Sequence, residues 1–183
     1  MDTAHLKILH VDDNEDAYVL TRALLRSIQG GPKELDWASE YGEALEKVLD
    51  GGYDVALVDY HLRGKLGTDL IREAIKRGCT TPMIVVTADG GREADIAAME
   101  AGAVDYLIKG HFDAFTLERA LRYATVRRQR KILQEEISSS QQTNAAGRMA
   151  AGLSGELNDL AATISGHAEM LLRHFEPDED VRE

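Results

Sequence analysis

Tyr53-Asp54-Val55-Ala56-Leu57-Val58-Asp59 is an apolar run closed by a carboxylate, and the His61-Leu62-Arg63-Gly64 that follows reads as a turn. Three other runs share this design. His5-Leu6-Lys7-Ile8-Leu9-His10-Val11 ends in the pair Asp12 and Asp13, Met83-Ile84-Val85-Val86 ends in Thr87, and Ala103-Val104-Asp105-Tyr106-Leu107-Ile108 ends in Lys109. Each run reads as a strand that delivers a polar residue at its carboxyl end. In an open parallel sheet, sites are built along that edge.

Helical patterns fill the intervals. Asn14 is placed to cap a helix from Glu15 to about Gln29, with Leu20, Leu24 and Ile28 recurring along it and Gly30-Gly31-Pro32 stopping it. A short strand near Leu35 to Ala38 leads to a helix from about Gly42 to Leu49. Thr68 reads as the cap of a helix from Asp69 to about Arg77, and a further helix runs from about Arg92 to Ala101. A last helix starts near Phe112. Repeated strand–helix units imply a doubly wound α/β fold, with a five-stranded parallel sheet covered on both faces. The order 2-1-3-4-5 puts the first and third strands side by side, so Asp12, Asp13 and Asp59 converge.

Bulk properties narrow the function. With 183 residues, the chain holds one domain and a long C-terminal helical extension. It is 44% hydrophobic and 29% charged, which fits a soluble protein with a true core. A net charge of -11 and a pI near 5.0 argue against nucleic acid or an anionic membrane as partner. Cys79 is the single cysteine, which excludes an internal disulfide and fits a reducing, cytoplasmic setting. The N-terminal residues lack the pattern of a signal peptide, and no apolar stretch approaches the ~20 residues needed to cross a bilayer.

Three converging carboxylates repel one another. Two charges ~4 Å apart cost ~4 kcal/mol at an effective dielectric of about 20. Mg²⁺ neutralises such a cluster well, since it takes hard oxygen ligands and leaves room for waters and a phosphate oxygen. Lys109 adds a point charge and Thr87 a hydroxyl. Together these groups form a phosphoryl-transfer site with Asp59 as nucleophile.

Residues 4–128 therefore resemble the receiver domain of two-component response regulators, a flavodoxin-like fold. The resemblance rests on Asp12-Asp13, on Val58-Asp59-Tyr60-His61-Leu62, on Val85-Val86-Thr87-Ala88 and on Tyr106-Leu107-Ile108-Lys109. It implies that Asp59 is the phosphoacceptor and that Asp13 and Asp59 ligate Mg²⁺ directly, with Asp12 acting through water. It implies the backbone carbonyl of His61 as the third protein ligand. Thr87 and Tyr106 match the switch pair and Lys109 the phosphoryl-binding lysine. His61 and Asp89 fall at positions that tune aspartyl-phosphate lifetime. The implied partner is a sensor histidine kinase or a phosphotransfer protein, and the implied activity is signalling rather than enzymatic turnover. The family usually follows its lysine with a proline, often cis. Here Gly110 follows, and a cis bond before a non-proline residue costs ~2.5–4 kcal/mol, so a trans bond is expected. The alternatives are an aspartate-nucleophile phosphohydrolase, which would place a second Asp where His61 stands, and a fragment of a hybrid histidine kinase.

The last helix reads on without Pro or Gly from Phe115 to about Gln142, making 129–144 a helical linker. Arg127, Arg128, Arg130 and Lys131 in it read as a solvated charged face or a contact surface. Beyond it, Leu153, Leu157, Leu160, Ile164, His167 and Leu171 recur at intervals of 4, 3, 4, 3 and 4, the seam of a helix that packs on another helix. Residues 145–175 resemble the first helix of a histidine-kinase dimerisation and phosphotransfer domain, on the stretch Gly147-Arg148-Met149-Ala150-Ala151-Gly152-Leu153-Ser154-Gly155-Glu156-Leu157. Gly155 stands where that family carries its phosphorylated histidine, so autokinase activity is not expected. A dimerisation helix is, because one amphipathic helix cannot bury its own seam. Residues 176–183 form an acidic tail.

Overall fold

The computed structural model describes residues 5–88, 90–134, 137 and 162–166. Its elements run β1 (Leu6–Val11), α1 (Glu15–Ser27), β2 (Lys33–Ala38), α2 (Tyr41–Leu49), β3 (Val55–Asp59), β4 (His61–Leu62), β5 (Lys65–Leu66), α3 (Gly67–Lys76), β6 (Met83–Thr87), α4 (Arg92–Ala101) and β7 (Asp105–Ile108). A helix α5 follows over 114–134.

Five strands pair in parallel in the order β2-β1-β3-β6-β7, which is the expected 2-1-3-4-5 arrangement. Every residue of β3 and β6 is buried. That explains why these strands read as unbroken apolar runs rather than alternating ones. Alternation sorts their side chains between two cores. Leu9, Val11, Ala56, Val58 and Val85 pack with Val48 of α2, Leu70 and Ile71 of α3 and Ala98 of α4. Ile8, Val55, Leu57, Ile84 and Val86 pack on the other face with Leu25 of α1 and with Leu117, Leu121 and Ala124 of α5.

Local chemistry sets the boundaries. Asn14 caps α1 as expected, its side chain accepting from the Asp16 N–H. α3 starts earlier than Thr68 implies. Its first residue is Gly67, the cap position is Leu66, and no side chain caps it. The reason is crowding: a Cβ on Gly67 would lie 2.0 Å from the Asp59 carbonyl oxygen and 2.9 Å from Val58 Cγ1. Gly67 N–H also donates to the Tyr60 carbonyl at 2.8 Å. Gly67→Ala is therefore expected to cost about 1–3 kcal/mol, as overpacking does, with the carbonyl end of β3 displaced. Urea unfolding of the variant beside the parent measures it.

His61-Leu62-Arg63-Gly64, read as a turn, belongs to a small antiparallel hairpin of β4 and β5 over residues 61–66. Its two linking residues, Arg63 and Gly64, have φ of 38° and 83°. Positive φ at both positions is the requirement of the tight hairpin turn that matches strand twist. Arg63 is the one non-glycine residue with positive φ among the described residues. The Lys109–Gly110 bond is trans, as expected, and Gly110 takes a φ of 75°.

Arg128 departs from the solvated reading of its basic stretch. Its Nη1 donates to the Tyr53 carbonyl at 2.8 Å and lies 3.2 Å from Asp54 Oδ1. This fastens α5 to the loop that enters β3. The chain divides into Met1–Ile132 and Leu133–Glu183, each compact in itself. Of the second unit, 162–166 is helical with Ile164 exposed. The remaining seam residues and Gly155 lie outside the described residues.

Candidate functional site

β1 and β3 are neighbours, and their carboxyl ends bring the acids together. One carboxylate oxygen from each of Asp12, Asp13 and Asp59 lies within 4.8 Å of the others, a group able to hold a metal ion. Asp12 is fully buried and Asp59 is 7% exposed, while Asp13 sits at the rim. Lys109, from the end of β7, reaches across. Its Nζ is 2.7 Å from Asp12 Oδ2 and 2.9 Å from Asp59 Oδ1. The backbone delivers the lysine there, because Lys109 N–H donates to the Thr87 carbonyl at 2.7 Å. Thr87 is 1% exposed at the end of β6, whose Val86 stands opposite Asp59.

The electrostatics follow from burial. Asp59 is held above the ordinary carboxylate range. Burial is the main cause, and the negative charge of Asp12 adds to it. The ion pair with Lys109 and a backbone hydrogen bond from His61 pull the other way. Burial also depresses Lys109, but its pairing with Asp12 and Asp59 outweighs that and holds the ammonium above its usual value. Both groups are therefore shifted upward: Lys109 gains from the pair more than it loses to burial, and Asp59 does not.

Other candidates fall around this centre. His61 is exposed, and its ring lies edge-on to Tyr60 at 4.8 Å, outside the acidic group. Tyr106 is partly buried against the core beside β6, opposite Val85. Asp89 lies outside the described residues.

Several contributors carry no sequence motif. Asn14 N–H donates to Asp12 Oδ1 at 2.9 Å, and Trp37 Nε1 donates to the Asp12 carbonyl at 2.7 Å. Trp37 also stacks on Tyr18, ring centres 5.4 Å apart. His10, buried beneath this end of β1, is kept neutral, its pKa driven by burial to about 4. At the pocket rim, Arg63 lies 3.9 Å from Asp13 and pairs closely with Glu40.

The family model of the response regulator receiver domain matches residues 8–122. The chain belongs to the response regulator receiver family. The receiver has curated relatives in two architectures. It is 30% identical over 162 residues to the two-component response regulator PhoP of Pseudomonas aeruginosa, spanning 88% of this chain and 71% of that protein. It is 37% identical over 107 residues to the autoinducer 2 sensor kinase/phosphatase LuxQ of Vibrio parahaemolyticus. That match spans 57% of this chain and 12% of LuxQ. Among solved structures, a receiver domain from Clostridium thermocellum superposes with a TM-score of 0.60 at 29% identity, covering 70% of this chain and 98% of that one. A CheY-like receiver from Methanospirillum hungatei gives a TM-score of 0.60 at 25% identity, covering 70% and 99%. Receivers of this family act as phosphoacceptors in two-component signalling, and their partners are sensor histidine kinases or phosphotransfer proteins. No helix among the described residues is long and apolar enough to cross a membrane.

Proposed function

We propose that the receiver takes a phosphoryl group onto Asp59 from a histidine kinase or phosphotransfer protein. The observation that carries this reading is the position of Asp59. It is buried at the end of β3, with one oxygen held by Lys109 and two further carboxylates beside it. The Asp59 oxygen that Lys109 does not hold attacks phosphorus, an acyl phosphate bond forms, and the bond from phosphorus to the donor nitrogen breaks. The donor imidazole, already protonated on its other ring nitrogen, takes the electron pair of the broken bond and leaves neutral. Lys109 balances charge on Asp12 and Asp59 before transfer and stays beside the product. Thr87 stands at the same edge to meet a phosphoryl oxygen, with Tyr106 on β7, opposite Val85, as the second half of a switch.

The donor set suits Mg²⁺, for it consists of hard oxygens from Asp12, Asp13 and Asp59 together with the His61 backbone carbonyl. Bound there, Mg²⁺ supplies positive charge to the transferring phosphoryl oxygens. The chain's own part is to hold the nucleophile, bury it from water and provide the ammonium. This work is stoichiometric signalling in a cytoplasmic setting rather than turnover of an external substrate. Intact-mass analysis after incubation with a small acyl phosphate and Mg²⁺ tests it. A gain of one phosphoryl group supports the reading, and no gain rejects it.

The domain boundaries we assign are 4–128 for the receiver, 129–144 for a helical linker, 145–175 for a kinase-like dimerisation helix and 176–183 for an acidic tail. The regular seam from Leu153 to Leu171 supports a homodimer. Light scattering coupled to size exclusion is expected to give a dimer for the whole chain and a monomer once residues 133–183 are removed. A monomer in both forms rejects the dimer.

A further inference from the structure

We propose that Arg63 is a tethered counter-ion that competes with the divalent cation for the acidic pocket, with Glu40 as the place to which it withdraws. The proposal rests on the Mg²⁺ reading of Asp12, Asp13 and Asp59 given above.

Three carboxylates share the pocket, and Lys109 reaches only two of them, Asp12 and Asp59. Among the described residues Asp13 forms no ion pair with that lysine, and it sits half-buried at the rim. Arg63 supplies the missing positive charge, its Nε lying 3.9 Å from Asp13 Oδ2. The same guanidinium pairs through Nη1 with Glu40, which precedes α2. One cation is thus divided between a pocket carboxylate and a carboxylate outside the pocket.

The backbone keeps it there. Arg63 has φ of 38°, in the left-handed region that costs a side-chain-bearing residue roughly 1–2 kcal/mol. The hairpin of β4 and β5 holds this conformation, and Gly64 completes the turn. The hairpin begins at His61, two residues after Asp59, so the tip cannot drift far from the pocket. A strained residue kept in place by its surroundings marks a positioned side chain.

A divalent cation at Asp13 would repel the guanidinium. On withdrawal Arg63 gives up the longer contact with Asp13 and keeps its pair with Glu40, so it yields rather than blocks. The outcome is a pocket whose cation affinity is set below its intrinsic strength and depends on salt. The chain reports on it directly. Trp37 is its single tryptophan, and the indole N–H donates to the carbonyl of Asp12.

The test is titration of the whole chain with Mg²⁺ alone, read by Trp37 fluorescence and independently by thermal unfolding. Arg63→Gln is expected to tighten the dissociation constant by about threefold, the scale of one exposed ion pair. Arg63→Lys, which keeps the charge, stays within about 1.5-fold of the parent on the same scale. Glu40→Gln moves the constant the opposite way, about twofold weaker, because the guanidinium loses its refuge and remains on Asp13. In about 1 M salt, where the screening length is ~3 Å, the three variants converge on the parent. An unchanged or weakened constant for Arg63→Gln in a chain whose parent binds Mg²⁺ overturns the proposal. A parent that responds to Mg²⁺ in neither signal overturns the Mg²⁺ reading itself.

Discussion

Asp59→Asn is expected to take up no phosphoryl group from a small acyl phosphate, under conditions in which the parent gains one. The amide oxygen of Asn is too weak a nucleophile, so uptake falls to background even if fold and cation binding persist. The other two pocket acids do not substitute. Asp12 is fully buried with both oxygens engaged, one by the Asn14 N–H and one by Lys109, and Asp13 stands at the rim near Arg63. Intact mass decides the matter, since phosphoryl transfer to either of them would still register. The variant also carries a stability signature. A carboxyl whose folded pKa is raised, as that of Asp59 is, costs stability at pH values above that pKa. It costs nothing below its ordinary value of 3.8. Without metal, Asp59→Asn is therefore the more stable protein near neutral pH, and the gain vanishes on acidification. Saturating Mg²⁺ reverses the order. At a hundredfold excess over its dissociation constant, Mg²⁺ stabilises the parent by about 2.7 kcal/mol. The variant, short of one carboxylate, gains less. Urea midpoints with and without Mg²⁺ measure both effects.

Lys109→Met is expected to be the most destabilising change in the pocket. It leaves two carboxylates, one of them wholly buried, without their ammonium. Breaking a buried pair by removing one partner costs about 3–5 kcal/mol. Lys109 keeps 27% of its side chain exposed, which favours the lower end, about 3 kcal/mol. The loss depends on pH in a defined sense. Without the lysine, Asp59 moves further above the ordinary carboxylate range, so the deficit is widest near neutrality and closes as pH falls toward 3.8. On the alkaline side the parent loses its own advantage. The Lys109 pKa is raised above 10.5, so its contribution is complete below that value and disappears as pH climbs through the folded-state pKa. Urea unfolding of parent and variant from acid to alkaline pH checks the shape. A constant gap across that range would mean that the lysine contributes packing rather than charge.

The parts of this fold that are legible in the sequence are those where one physical cause dominates. β3 and β6 are visible because a fully covered parallel strand must be apolar along its length, and β1 and β7 because apolar residues still dominate them. Their terminal residues Asp12, Asp59, Thr87 and Lys109 are visible because polarity returns at the carboxyl edge. The harder features arise from competing causes. Thr68 carries a good capping side chain, yet α3 opens two residues earlier than that cap implies, at a position where only glycine fits against the Asp59 carbonyl. β4 and β5 have two residues each, too few to show a period. Arg63 and Glu40 are 23 residues apart, and nothing local announces that they meet. Trp37 lies beneath Asp12 only because β1 and β2 pair in the register that sets His10 opposite it. Arg128 belongs to a basic run whose composition is the same whether the side chains face water or, as here, a backbone carbonyl.

That last contact sits at the amino end of β3, opposite the end that carries Asp59. Asp54 and Asp59 bracket β3, about 17 Å apart at ~3.3 Å per residue. The acidic cluster and its lysine occupy one pole, while the root of the outgoing helix is riveted to the other. What the chain appends after α5 can thus be exchanged for other cargo with no atom of the reaction centre redrawn, and a domain so wired is readily reused in unrelated assemblies.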